Sequence, residues 1–352
     1  MTVQTGKEQR LGTARRKRPD ALSIIGLVFV GAIVVWLLVN LIDNPESFAN
    51  VALIGLTNGS VYALVALGYT LIYGILQLIN FAHGDVFALS GLVASTVMIT
   101  LLDLSGTEAA YVIAGGLLVT LVLTMAFGAS INVAIEFLAY RRLRSQPRLT
   151  MLISAVGMSF IVQNISLAFY GVEYRDAPQL ISGSPAFTIG RVSMSWNKLS
   201  VVLITIPVLL ILTWLVRSTK QGKAMRATAQ DQDAAAMMGI NVNRTISFAF
   251  LLAGGLAGSA GVLFLLQYQM RYDTGFELGL IAFTAAVLGG IGNLAGATLG
   301  GMIIGFIQAF NEGLSIGVPG SDWTRSIVFG ILIAILVFRP EGLLGERTPE
   351  GA

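Results

Sequence analysis

The sequence predicts an all-α, polytopic integral membrane protein with about ten transmembrane helices and both termini in the cytoplasm. Of its 352 residues, 55% are hydrophobic and 12% are charged, whereas a soluble domain carries about 25% charged residues. Apolar runs of about 20 residues match the length that a helix needs to cross a bilayer. The sequence lacks the short segments of alternating polarity that mark a transmembrane barrel. Its 40 glycines favour closely packed helices.

Hydropathy places ten spans along the chain. A basic stretch, "RRKRP" at Arg15–Pro19, precedes the first span. That span is longer than a signal-peptide core, so we expect an uncleaved anchor helix. The spans run from Ser23 to Ile42, Val51 to Leu76, Asp85 to Leu102, Ala109 to Ile135, Leu149 to Tyr170, Leu199 to Val216, Ile246 to Leu266, Leu278 to Gly290, Leu294 to Phe310 and Ser326 to Phe338.

Basic clusters set the predicted orientation. If the amino terminus is cytoplasmic, the clusters at Arg15–Pro19, Tyr140–Arg148 and Arg217–Arg226 and the tail at Phe338–Gly342 all fall on the inner side, as the positive-inside rule requires. The clusters flank spans and lack interleaved aromatic residues, which excludes nucleic acid as a partner and indicates the lipid bilayer. The opposite loops are acidic or neutral: Asp43–Glu46, Asp103–Glu108, Met270–Glu277 and Gly317–Trp323.

The cytoplasmic loop Arg217–Thr245 contains good helix formers from Ala224 to Met238, which predicts one helix there. This helix should stop at Gly239, because glycine accepts the left-handed conformation of a helix cap. The residues alone leave two interpretations open. The segment packs on its own domain, or it docks another subunit.

The stretch "GGIGNLAGATLGG" at Gly289–Gly301 also allows two interpretations. Two short helices could meet at a glycine turn whose backbone groups need protein or water partners, since lipid offers none. Alternatively, the stretch is a short surface loop between two full spans.

Polar residues within the spans are candidates for a translocation path, because polar side chains in a bilayer usually face a cavity or a partner. Tyr62, Tyr69, Tyr73 and Asn80 recur at spacings of seven, four and seven, which predicts one helical face. Interhelical hydrogen bonding is the alternative for each residue taken alone. The predicted path or gate residues are Tyr62, Tyr69, Asn80, His83, Asp85 and Asn293, and the wider candidates are Asn58, Tyr73, Gln77, Gln163, Asn164, Gln267 and Gln308.

His83 is the only histidine of the chain and lies two residues before Asp85. A catalytic triad needs a positioned nucleophile and zinc usually takes several protein ligands, so neither a catalytic residue nor a metal site is predicted. Proton coupling by the two side chains is chemically open. The order of the spans instead favours a cytoplasmic turn that gates the path, with Gly84 at the turn and Asp85 capping the next helix. A direct contact of His83 with the solute is the alternative.

Several motifs resemble the branched-chain amino acid (Leu/Ile/Val) ABC-transporter permease family. The resemblance is collinear from about Val51 to Gly345, whereas compact members of the family begin near the position of Phe48. The matching stretches are "GSVYALVALGYTLIYGILQLINFAHGDVFALSG" from Gly59, "YRRLR" from Tyr140, "LISAVGMSFIVQN" from Leu152, "RATAQDQDAAAMMGI" from Arg226 and "AFTAAVLGGIGNLAGATLGG" from Ala282.

The resemblance implies a multi-pass plasma (inner) membrane subunit of prokaryotic type, which imports hydrophobic amino acids. Its implied partners are a second permease subunit (the same chain or another), two ATP-binding subunits and an extracytoplasmic solute-binding protein. Arg226, Asp231, Gly239 and Ile240 would belong to the ATPase-coupling loop. The chain has no phosphate-binding loop, since "KQGKAM" at Lys220–Met225 lacks the first glycine and the hydroxyl residue. No cofactor is therefore expected on this chain, and ATP would act on the partner ATPase.

The expected organisation is a basic cytoplasmic tail (1–20), an extra transmembrane helix (21–48), the permease domain (49–345) with its coupling loop (217–245), and a second cytoplasmic tail (346–352). A permease for urea or short amides shares this plan. An ion-coupled secondary transporter is the alternative class, but it predicts mid-span charges, and these are almost absent from the sequence.

Overall fold

A computed structural model describes residues 21–144, 146–181 and 183–345. The chain divides into two compact units, Met1–Pro45 and Glu46–Ala352. In the first unit the structure describes helix α1 (Ala21–Asp43). The basic cluster at Arg15–Pro19 and the two predicted tails, 1–20 and 346–352, lie outside the described residues.

The second unit is helical almost throughout, apart from one small hairpin. Two π-helical segments extend its helices, Val97–Leu101 after α3 and Glu136–Tyr140 between α4 and α5. Its helices are α2 (Pro45–Leu76), α3 (Ala82–Thr96), α4 (Ala110–Ile135), α5 (Arg141–Leu143), α6 (Arg148–Tyr170), α7 (Trp196–Ser218), α8 (Lys220–Gln230), α9 (Gln232–Met237), α10 (Val242–Leu265), α11 (Thr274–Gly289), α12 (Leu294–Gly313) and α13 (Ser321–Phe338).

Each of the ten predicted spans coincides with a helix, which confirms the polytopic helical fold. Among the described residues, eight helices are long and apolar enough to cross a membrane, and α1 and α11 contribute shorter apolar helices. The segment between α6 and α7 holds an antiparallel hairpin, β1 (Pro185–Ile189) and β2 (Val192–Ser195). Gly190 permits its tight turn, since its φ is +65°.

The second unit has an inner and an outer set of helices. Most residues in the apolar windows of α2, α3 and α10 are buried, whereas at most 22% of those in α4, α6, α7 and α13 are buried. Helices α4 and α10 touch through their backbones, because a Cβ atom at Gly254 would lie 2.3 Å from the carbonyl oxygen of Gly128. This contact is the close packing that the glycine content predicts.

The turn between α11 and α12 is covered by the chain's own carboxyl-terminal segment. The amide groups of Leu343 and Leu344 donate to the carbonyl oxygens of Leu288 and Gly289 at 2.8 and 2.9 Å. The backbone groups at the end of α11 therefore have protein partners, as a helix break inside a membrane protein requires.

The cytoplasmic segment forms two helices, so the prediction of one helix over Ala224–Met238 is wrong. Asp231 ends α8 and caps α9 with an extended backbone, and its carboxylate accepts the amide groups of Asp233 and Ala234, each at 2.9 Å. Aspartate satisfies the free amides of a helix start well, and this cap replaces a continuous helix.

Gly239 ends this segment as predicted, with a φ of +83°. The Ile240 amide donates to the Ala235 carbonyl oxygen and the Gly239 amide to that of Ala236, both at 3.0 Å. This pair of hydrogen bonds is a Schellman motif, which fixes where α9 stops. We call residues 220–240 the coupling segment, after the role that the family resemblance implies for them.

Candidate functional site

A cleft of about 340 Å³ opens beside the last turn of α2, and we call it the inner cleft. Its walls come from α2, from the α2–α3 linker (residues 77–81) and from the start of α6. The lining residues are Tyr73, Gln77, Leu78, Ile79, Leu149 and Leu152. The cleft is open to the surface and not enclosed, and its wall is mostly aliphatic with few polar groups.

Gln77 begins the linker in a left-handed conformation, with a φ of +55°. Residues other than glycine seldom adopt this conformation, and those that do are held there by their surroundings. The linker therefore turns sharply at the edge of the inner cleft.

His83 lies inside the bundle, packed against α2. A Cβ atom at Gly68 would lie 2.2 Å from its Nε2 atom, and its ring meets the Tyr69 ring edge-on at 4.8 Å. Gly68 precedes the end of α2 by eight residues, which is about 12 Å along a helix. The prediction that His83 lies in a cytoplasmic turn is wrong, because the turn falls at residues 77–81 and α3 has already begun at Ala82.

The His83 ring is fully buried, and neither ring nitrogen makes a well-formed hydrogen bond to a described residue. The Val65 carbonyl is the backbone group that interacts with the ring. A buried ring of this kind fills space between α2 and α3.

Asp85 does not cap α3, so that expectation is also wrong. The residue lies within α3, which has no side-chain cap. Its carboxylate accepts hydrogen bonds from the Ser159 hydroxyl and from Gln163 Nε2, the latter at 3.0 Å. Because both donors belong to α6, Asp85 fastens α6 to α3 through a buried polar contact.

Asn80 lies on the linker and not on the α2 face predicted from its spacing, because α2 ends at Leu76. Its Oδ1 atom accepts from the Tyr140 hydroxyl at 2.8 Å, and its Nδ2 atom donates to Asn132 at 3.4 Å. Asn132 in turn donates to the Phe250 carbonyl oxygen at 2.8 Å. This buried network ties the linker to α4 and α10.

The other predicted path residues occur as separate groups. Tyr62 donates to Gln308 at 2.5 Å, and Tyr268 donates to Asn58 at 2.8 Å, both in the middle of α2. Tyr69 pairs with His83 further along α2, and it lines a second pocket together with Tyr73.

Asn293 has a structural task at the α11–α12 turn. Its side chain accepts from the Gly296 amide at 3.0 Å, capping α12, and donates to the Leu344 carbonyl oxygen at 2.8 Å. It contacts none of the other predicted path residues through a described hydrogen bond.

The coupling segment touches the end of α2 directly. Gln232 Nε2 donates to the Ile75 carbonyl oxygen at 3.2 Å, a contact that sequence reasoning missed. Arg226 donates to the carbonyl oxygens of Val216 and Arg217, which fastens α8 to the end of α7. The outer surface of the segment exposes Met237 and Met238, more than four-fifths each.

Glu136, an acidic residue that the sequence pattern did not single out, is fully buried in the π-helical segment after α4. Its carboxylate accepts from Arg141 at 3.0 Å, from Arg144, and from the Ser247 hydroxyl at 2.9 Å. A lone acidic residue directly after a predicted apolar span, five residues before an arginine pair, was the signal available in the sequence.

These features define a class of protein: a multi-pass helical membrane protein with an open cleft of about 340 Å³ next to a short segment with exposed methionines. The chain belongs to the family described as "Branched-chain amino acid transport system / permease component", whose model matches residues 51–337. It is therefore a multi-pass permease-type protein of the plasma (inner) membrane. Helix α1 precedes the matched region.

Named relatives agree with this family. The chain is 39% identical to the high-affinity branched-chain amino acid transport system permease protein BraD of Pseudomonas aeruginosa, over 84% of this chain and 95% of the relative. It is 36% identical to the corresponding LivH protein of Escherichia coli, with the same coverage. The ribose import permease protein RbsC of Escherichia coli is 27% identical over 96% of this chain and 98% of the relative. No solved structure matches.

Proposed function

We propose that this chain is the permease subunit of an ABC importer for branched-chain, hydrophobic amino acids. The observation that carries the proposal is the contact between the coupling segment and the end of α2, where Gln232 meets Ile75 beside the inner cleft. Movement of the coupling segment would act at this contact on the wall of the inner cleft. The names of the relatives at 36 to 39% identity support the solute class.

The aliphatic wall of the inner cleft also supports this solute class. Leu78, Ile79, Leu149 and Leu152 would contact a branched side chain, while Tyr73 and Gln77 supply the polar groups. A permease in such a system needs no tight solute site, because an extracytoplasmic binding protein supplies the selectivity.

The proposed partners are a second permease subunit, two ATP-binding subunits and the binding protein. The coupling segment would dock the ATPase, with the exposed methionines Met237 and Met238 as adaptable apolar contacts. The Asp231 cap and the Gly239 stop give the segment two defined helix ends. A rigid element of this kind transmits the closure of a partner subunit as a body.

The transport activity is tested by leucine uptake into vesicles that contain the full complex. ATP is supplied on the side of the ATP-binding subunits, and ion gradients are collapsed. We expect ATP-dependent uptake of leucine, with isoleucine and valine as competitors and with urea and ribose without effect. Uptake that requires an ion gradient and ignores ATP would contradict the proposal.

The coupling segment is tested by Gly239→Pro and Asp231→Ala. Proline removes the amide that donates to Ala236 and cannot adopt a positive φ, and alanine removes the α9 cap, a loss of about 1 kcal/mol. We expect both variants to lose ATP-driven uptake and ATPase association, with Gly239→Pro the more severe. The matched control is Gly190→Ala in the external hairpin, which also has a positive φ. If both coupling variants keep uptake and association, the docking assignment is wrong.

A further inference from the structure

The π-helical segment Glu136–Tyr140 carries a buried polar side chain at each end. Glu136 is fully buried and Tyr140 is 2% exposed. The two side chains reach different parts of the molecule, and each makes hydrogen bonds to a segment that is distant in sequence. Single-turn π segments are rare and occur often at functional positions.

Glu136 binds the beginning of α10. Its carboxylate accepts from Ser247 at 2.9 Å and from Arg141. Arg144 donates to the same carboxylate and also to Asn243 Oδ1, the latter at 2.9 Å. Asn243 and Ser247 belong to the first two turns of α10. That helix begins at Val242, two residues after the coupling segment ends, so a displacement of the segment also acts on this cluster.

The Glu136 cluster resists small displacements. A buried charge that loses one partner costs several kcal/mol, whereas an intact cluster with all its hydrogen bonds is tolerated. The Arg141 guanidinium also lies over the Phe137 ring, 5.0 Å from its centroid. The first turns of α10 and the π-helical segment are therefore held together as one body.

Tyr140 binds the α2–α3 linker. Its hydroxyl donates to Asn80 at 2.8 Å, and its ring lies 5.6 Å from the Phe250 ring of α10. The linker also supplies Gln77, Leu78 and Ile79 to the inner cleft. A continuous set of contacts thus runs from the start of α10 through the π-helical segment to the wall of the cleft.

We propose that the π-helical segment is the relay by which movement of the coupling segment opens and closes the inner cleft, with Glu136 and Tyr140 as positioning residues. Glu136 receives the movement through α10, and Tyr140 passes it to the linker through Asn80. The relay rests on the proposed function, because it needs an ATPase that moves the coupling segment.

Tyr140→Phe and Glu136→Gln test the relay in the full complex reconstituted in vesicles. The first removes one hydroxyl, and the second keeps the side-chain volume and removes the charge that holds the arginines. The quantities measured are leucine uptake, ATP hydrolysis and assembly with the ATPase. We expect assembly and hydrolysis to persist, while uptake per ATP hydrolysed falls at least about fivefold, the lower range of ordinary coupling energies.

The controls are Tyr170→Phe at the end of α6 and Glu277→Gln in the first turn of α11. Tyr170 accepts a hydrogen bond from Thr96, and Glu277 pairs with Arg325, so each control removes the same chemical group from a hydrogen-bonded position outside the relay. We expect both controls to keep the wild-type ratio of uptake to hydrolysis.

A double-mutant cycle separates the relay from a purely structural effect. Because Asn80→Ala and Tyr140→Phe remove the same hydrogen bond, the double variant should lose no more uptake per ATP than the worse single variant. Additive losses would overturn the relay. An unchanged ratio in Tyr140→Phe and Glu136→Gln, even with a lower melting temperature, would also overturn it. That result leaves the proposed function standing, because ATP-dependent leucine uptake by the unaltered complex tests it separately.

Discussion

At the scale of single residues, the neighbours of a side chain determine its role where its chemistry allows several. The pairing of a histidine with an aspartate two residues later suggests acid-base chemistry. In the structure the two side chains serve different neighbours, since His83 packs against Gly68 while Asp85 accepts from Ser159 and Gln163. Two residues apart on a helix point about 200° apart, which explains the separation.

Gly68→Ala should lower the stability of the protein by about 1 to 3 kcal/mol, because the added methyl group overpacks the His83 ring. The measurement is thermal unfolding in detergent. The matched control is Gly115→Ala in α4, where no atom lies within 4 Å of the added Cβ. There the better helix propensity of alanine should raise stability by up to about 1 kcal/mol.

A double variant tests whether His83 is the group that is overpacked. In the His83→Ala background the Gly68→Ala substitution should cost much less than in the natural sequence. An equal cost in both backgrounds would show that another neighbour of Gly68 is responsible.

At the scale of elements, helix ends carried the clearest local signals. Gly239 stops α9 and Asn293 starts α12, and both residue types are typical of the caps that they form. The interruption at Asp231 was missed, because an aspartate within a run of good helix formers is compatible with either a cap or a helical position. The backbone around it decides between these, and here it is extended.

Asn293 makes two hydrogen bonds that substitutions can separate. Asn293→Ala removes the α12 cap and the bond to Leu344, whereas Asn293→Ser keeps a cap acceptor and loses only the second bond. We expect the alanine variant alone to lose about 1 kcal/mol of stability through the cap. Hydrogen exchange at the amides of Leu343 and Leu344 should be faster in both variants, because the tail segment is less firmly held.

The two variants should therefore differ in stability but agree in their faster hydrogen exchange. Equal losses of stability in the two variants would mean that the bond to Leu344, and not the cap, holds the turn. Unchanged exchange in both would mean that the backbone bonds to Leu288 and Gly289 suffice without Asn293.

At the scale of the whole molecule, the helices divide into a mostly buried set and a set with few buried residues. Hydropathy alone does not separate α10 from α7, since both are strongly apolar, yet most of α10 is buried and only 22% of the apolar window of α7 is buried. Glycine marks the contact between the two sets, because Gly128 of the outer helix α4 meets Gly254 of the inner helix α10 at close range.

The predicted orientation follows from the basic clusters and is testable because the chain has no cysteine. Arg191→Cys in the external hairpin should react with a membrane-impermeant maleimide in intact cells. Lys223→Cys and Arg142→Cys should react only after the membrane is permeabilised. Reaction of the two inner positions alone in intact cells would reverse the orientation. Reaction of all three positions in intact cells would refute it.

The sequence by itself determined the class of fold, the positions of the ten apolar helices and the family. These properties depend on local composition and periodicity, because a helix in lipid must satisfy its own backbone and carry about 20 apolar residues. The stop at Gly239 belongs to the same group, since a helix cap is chosen by a few adjacent residues.

Only the tertiary structure decided which polar residues meet. Glu136 joins Ser247 across 111 positions, and Tyr140 joins Asn80 across 60. Spacing along one helix carries no information about such partners, since they depend on how helices cross in space. For the same reason His83 was placed at a turn by the order of the spans, whereas packing against Gly68 holds it inside the bundle.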